Sequence, residues 1–208
     1  MNKFASGLTL PEKAPRTTLK TEILWGCELG GSPHFPKDMA GVHERFYASD
    51  PKPLETFRLA VAEAVERVLI MDDYFLMPDK GKPEDRLLTI LGWLHPQLVA
   101  SDIRILTKKH GEIDEELMLQ LFRDREEEIN NSQARRGKRC SIQVNTRLRE
   151  GFNYVHDRFA IVDDELWHFG ATVGGFHASV NATSRGWRAA DAGAIDFFDL
   201  AWHMCKEK

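Results

Sequence analysis

The chain has 208 residues, 42% hydrophobic and 29% charged, with a formal charge of −4 at pH 7. This predicts one globular unit able to bury a sizeable core. A net negative charge excludes a whole-molecule electrostatic grip on nucleic acid or acidic membrane, but leaves room for a local basic site. Cys27, Cys140 and Cys205 form no paired spacing, so neither a disulfide framework nor a zinc site is expected. No run reaches the roughly 18 consecutive apolar residues of a membrane span, and residues 1–20 lack the apolar core of a signal peptide. These features predict a cytoplasmic setting.

In chain order, residues 1–50 read as an irregular N-terminal extension with one short strand in "TEILWGC", Thr21 to Cys27. "ELGGSPHFPKDMAG" is a loop by its glycine and proline content. Residues 51–208 read as the main domain. "LETFRLAVAEAVERV" sets Phe57, Val61, Val65 and Val68 on one helical stripe, and "VLIMDDYFL" then reads as a buried strand. "PEDRLLTILGWLHPQL" opens with Pro83 and two acids, a good helix start. "DIRILTK" alternates as a strand, and "DEELMLQLFRDREEEINNSQ" is a charged amphipathic helix. "CSIQVNTR" is another strand. "DRFAIVD" and "LWHFGAT" are two more, joined by the acidic turn Asp163-Asp164-Glu165, and "AGAIDFFDLAWHMC" closes the chain as a helix. Strands alternating with helices predict an α/β fold with helices on both faces of a central sheet.

Chemistry concentrates in "VHDRFAIVDDELWHFGAT", Val155 to Thr172. On a strand, His156 and Arg158 project to one face while Asp157 and Phe159 point to the other. The apolar residues beyond them suit a central strand whose entrance carries the polar pair. Imidazole beside guanidinium supplies no negative charge, and a shared anion resolves this. Arginine forks onto phosphate oxygens, while neutral histidine attacks phosphorus or passes a proton. The competing reading pairs Arg158 with Asp163 or Asp157 and leaves His156 as an edge histidine.

"HDRFAIVD" with Gly170 beyond it resembles the phospholipase D signature H-x-K-x4-D-x6-G-S-x-N, with His156, Asp163 and Gly170 in register and Arg158 in place of lysine. The chain is similar to single-motif His-Asp-Arg variants among bacterial phospholipase-D-like proteins. It also resembles the phospholipase-D-like domain of midbody-associated MIT proteins, which binds membrane phosphoinositides. The resemblance implies a phospholipase-D-like α-β-α sandwich around a mixed sheet. It also implies a metal-independent phosphodiesterase without cofactor, and with no membrane-binding segment visible the expected diester is nucleic acid rather than lipid, a nuclease-type activity. His156 would be nucleophile or acid, Arg158 the phosphate clamp and Asp163 a supporting carboxylate. A single motif implies a homodimer joining two His156 side chains across a twofold axis. Ala171 and Val173 stand where the family has serine and asparagine, and Thr172 is out of phase. Substrate-binding substitutes are expected from Thr172, Ser179, Asn181 or Arg185. The alternative is a catalytically silent module that binds phosphate or partner proteins in a multi-component system.

"VHERFYASD", Val42 to Asp50, repeats the His-x-Arg-x4-Asp spacing, but Pro51 and Pro53 follow and Phe57 stands where glycine is needed. His43 and Arg45 are therefore read as a coincidence, or as a loop lining the same pocket. The basic run "ARRGKR", Ala134 to Arg139, reads as a solvated loop able to contact a nucleic-acid backbone. Trp187, in "SRGWR", reads as a loop residue able to stack on a base or headgroup.

Overall fold

A computed structural model describes residues 19–25, 33–47, 54–77, 81–132, 137–174 and 179–206. The lead-in through residue 18 and residues 134–136 of the basic run lie outside the described residues. The fold is mixed α/β. A seven-stranded sheet runs in the order β1-β7-β6-β5-β2-β3-β4. Its strands are β1 (Glu22–Trp25), β2 (Arg67–Met71), β3 (Asp102–Leu106), β4 (Ser141–Asn145), β5 (Phe159–Val162), β6 (Glu165–Phe169) and β7 (Ala182–Arg188). The strands β2, β3 and β4 pair in parallel, and every other neighbouring pair is antiparallel. The sheet draws β1 from ahead of residue 50, where it pairs with β7.

The described helices are α1 (Met39–Phe46), α2 (Glu55–Glu63), α3 (Pro83–Trp93), α4 (Glu115–Asn131), α5 (Leu148–Gly151) and α6 (Ala194–Lys206). Strand alternation assigns them to layers. Val68 and Ile70 of β2 join Ala160 and Val162 of β5 in the core under α2, α3 and α4. Leu69, Met71, Phe159 and Ile161 join Phe198, Ala201 and Trp202 of α6 on the other face. Both faces of β2 and β5 are therefore apolar, as buried central strands require. Phe57 anchors the first core, edge-on to Trp93, Trp167 and Phe169 at 5.6, 5.3 and 5.1 Å. Full burial of such a side chain contributes roughly 1.5–3 kcal/mol. α5 packs so closely on α6 that a Cβ at Gly151 would lie 2.6 Å from the Cys205 Cα.

Several elements depart from the sequence reading. The stripe through Val65 stops early: α2 ends at Glu63 and Val65 is 60% exposed. The cause is Asp163, whose Oδ1 accepts the main-chain N–H groups of Val65, Glu66 and Arg67 at 3.1, 2.7 and 3.1 Å. β2 ends at Met71 rather than Leu76, because the Asp72 side chain accepts the Tyr74 N–H at 2.8 Å and turns the chain. The polar stretch containing Trp187 is not a loop but β7, lodged between β1 and β6. His43 lies on helix α1, so the repeated spacing adopts a different backbone from the one around His156.

Candidate functional site

Parallel strands direct their C-terminal ends to one edge of the sheet, where α/β folds place ligands. Here that edge gathers the residues following β2, β3 and β4 with those preceding β5. His156 and Arg158 sit there, in a run without regular structure just ahead of β5 rather than on the strand itself. Without strand alternation they part. His156 is exposed and lines a cavity of about 630 Å³ on the α6 side. Arg158 instead turns toward the end of β2.

Arg158 is largely covered, its side chain 20% exposed, with Nε 3.6 Å from Oδ1 of the fully buried Asp72. Its guanidinium carbon lies 4.9 Å from the centroid of the Tyr74 ring. Lys108, just past β3, brings its Nζ to 4.2 Å from the same centroid. Two cations thus share one aromatic ring, each drawn to its electron-rich face. Asp72 is held by the N–H groups of Tyr74 and Val173, both at 2.8 Å. Burial pushes its carboxyl up to about 6, opposed by those two hydrogen bonds and then by the charges of Arg158 and Arg86. Arg86 is buried beside it, donating to the carbonyls of Phe75 and Val173 at 2.7 and 3.2 Å. The neighbouring Asp73 is paired with Arg149. Asp72, Asp73, Tyr74 and Lys108 were not singled out from the sequence. The signal for the first three was "MDDY", two carboxylates ending a buried apolar strand.

Asp163 stands at the opposite end of β5. Phe159 pairs with Met71 while Val162 pairs with Val68, so a strand length of about 16 Å separates Arg158 from Asp163. Its φ of 55° places it in the hairpin turn, where its carboxylate caps three amides. The structure therefore gives Asp163 a supporting role in the fold and keeps it away from His156. Arg185 is likewise committed elsewhere. It forks onto Glu165 at 2.9 and 3.1 Å and lies over Trp167, 4.2 Å from the ring centroid. Thr172 is buried next to Val173, the residue that donates to Asp72. Ser179 and Asn181 are half-buried ahead of β7, where the Asn181 amide donates to the Ser179 carbonyl at 2.8 Å. His43 is not among the residues lining the His156 cavity. Among the described residues no group of three or more His, Cys, Asp or Glu side chains is arranged to hold a metal ion, and no helix is long and apolar enough to cross a membrane.

Fold and site together define a mixed α/β protein with a cationic cluster at the C-terminal edge of its parallel strands. No family model matches the chain, and no curated protein matches it. Among solved structures, the chain is similar to TrmBL2, an archaeal chromatin protein whose structure shows a novel mode of DNA binding. The identity is 11% and the TM-score 0.43, covering 92% of this chain and 55% of that one. The chain thus spans about half the length of that protein.

Proposed function

We propose that the chain is a phospholipase-D-like protein that binds a phosphodiester at the Arg158–Lys108 cluster and cleaves it with His156. The observation carrying this reading is the placing of two cations on the Tyr74 ring. The buried carboxylate of Asp72 faces Arg158 only at 3.6 Å, beyond direct hydrogen-bond reach. Two cations gathered at one ring attract an anion. In this reading the His156 imidazole attacks phosphorus, a phosphorus–nitrogen bond forms, and the bond to the leaving oxygen breaks. Water then cleaves the phosphorus–nitrogen bond, releasing a phosphate monoester and restoring the imidazole. The resemblance supports a metal-independent reaction with the second histidine supplied by a twofold-related copy, and nucleic acid is the diester of this reading.

The test is hydrolysis of bis-p-nitrophenyl phosphate and of single- and double-stranded DNA and RNA, by wild type and His156→Ala. Activity in wild type that disappears in the variant and survives EDTA is the expected result. Equal rates in both proteins sink the enzymatic reading. A second reading, a silent phosphate-binding module, is favoured by one observation: Arg158 is not among the side chains lining the cavity that His156 faces. Diester binding without turnover, lost in Arg158→Ala, is its signature.

A further inference from the structure

The cavity beside His156 has walls that the phosphate chemistry does not use. Tyr154, Phe159 and Phe197 line it with the polar group His156, Asp157 and His168 at its rim. Tyr154 is 84% exposed, yet its ring is braced edge-on by buried Phe152 at 5.4 Å. Phe152 braces Phe197 in the same way at 5.8 Å, and Phe197 meets Phe159 at 6.3 Å. Aromatic surface held in place and left open to water is a stacking platform without its partner ring. The rim is equally specific. His168 Nε2 lies 3.1 Å from Asp157 Oδ1, with both side chains open to solvent. The carboxylate supplies acceptor oxygens, and the imidazole donates or accepts according to its tautomer. An alkyl chain has no use for such an edge, whereas a planar heteroaromatic ring uses both the rings and the edge. At about 630 Å³ the cavity is of small-ligand size.

We infer that this cavity binds a planar nitrogen heteroaromatic ring of the nucleobase class, stacked on Tyr154 and Phe197 and read at its edge by Asp157 and His168. The inference goes beyond the phosphodiester reading and stands without it. The cavity opens on the α6 face with Phe159, whereas Asp72 is tied to Val173 and to Arg86, whose ring neighbours Phe75 and Trp93 belong to the core on the other face. The run from His156 to Arg158 connects the two sites, so a ligand with both a base and a phosphate has a place for each.

The experiment is calorimetric titration of the full chain with adenosine, ribose and dimethyl phosphate. Adenosine is expected to bind and ribose not to. Tyr154→Ala and Phe197→Ala should each weaken adenosine about tenfold, the effect of removing one stacking face. Tyr154 is too exposed for its truncation to unfold the protein, so a loss there reports on the site. His168→Ala should weaken adenosine while leaving the melting temperature unchanged. Arg158→Ala should weaken dimethyl phosphate about tenfold and keep adenosine. Adenosine binding no better than ribose, or equally well to wild type and Tyr154→Ala, overturns the inference. So does self-association that Tyr154→Ala abolishes and adenosine fails to compete with, since the rings would then serve a second copy. Retained adenosine binding with no affinity for dimethyl phosphate overturns the phosphodiester reading alone.

Discussion

The carboxylate of Asp72, at the end of β2, accepts a 2.8 Å hydrogen bond from the main-chain N–H of Val173, 101 residues further along the chain. With the Tyr74 N–H on its other oxygen, this fully buried group joins the strand end to the segment after β6 and also faces Arg158.

Asp72→Ala strips the partner from two covered N–H groups and should cost about 2–4 kcal/mol. The effect depends on pH in a direction set by burial. An unfolded aspartate titrates near 3.9, while the native carboxyl is raised to about 6. The folded protein therefore holds this proton more tightly. The resulting stabilisation is fully present below about pH 4 and is lost as pH rises through about 6. Urea midpoints at pH 4.5 and 7.5 should show a wider gap between wild type and variant at the lower pH. A gap that is constant or grows with pH rules out this account.

Lys108→Ala and Arg158→Ala should each weaken dimethyl phosphate about tenfold, because a charge-assisted hydrogen bond is worth roughly 1.5–3 kcal/mol. Tyr74→Phe keeps the ring that both cations share and should bind nearly as wild type, whereas Tyr74→Ala removes that shared face. Equal affinity in Tyr74→Ala and wild type, measured by the same titration, breaks the link between ring and anion site.

Asp163→Ala should destabilise the fold by about 2–4 kcal/mol, since the chain leaving α2 loses the cap on Val65, Glu66 and Arg67. In the fraction that remains folded, diester affinity should match wild type. Chemical denaturation gives the first quantity and titration below the melting transition the second. An affinity loss as large as that of Arg158→Ala returns Asp163 to the binding site.

Gly186 occupies a bulge between β6 and β7 with φ +97°, and a Cβ there would stand 2.1 Å from the Lys20 carbonyl oxygen. Gly186→Ala should therefore release β1 from β7, at a cost of at least about 1–3 kcal/mol from backbone strain alone. Amide exchange is the readout: Ile23 and Leu24 should lose protection while β2 and β3 keep theirs. Unchanged protection at β1 defeats the prediction.

Periodicity and punctuation made much of the layout legible. Pro83 opens α3 as its first-turn acids suggested, and β5 and β6 meet at the acidic turn. Long-range side-chain contacts were not legible. No local pattern says that Asp163 will draw Val65 out of a helix from 98 residues away. Nor did polarity mark β7, whose Thr183 and Gly186 are buried while Trp187 faces outward at 43% exposure. At the site, spacing located His156 and Arg158 but assumed strand alternation. The strand begins only at Phe159, three residues past His156, and each side chain goes its own way. Lys108 and Tyr74 come from other strand ends, so only the fold could bring them to Arg158.

The pairing of β2 with β5 has a consequence for synthesis on the ribosome. Strand β2 is laid down early and finds β3 quickly, but its other edge waits for Phe159–Val162. Until then a wholly apolar strand, Val68 to Met71, presents an open row of amides and carbonyls to any passing chain. A nascent fragment stopping after α4 is thus the form most prone to aggregate, and assembly has to wait for distant contacts. A chaperone-depleted translation extract should precipitate that fragment while the full chain stays in solution.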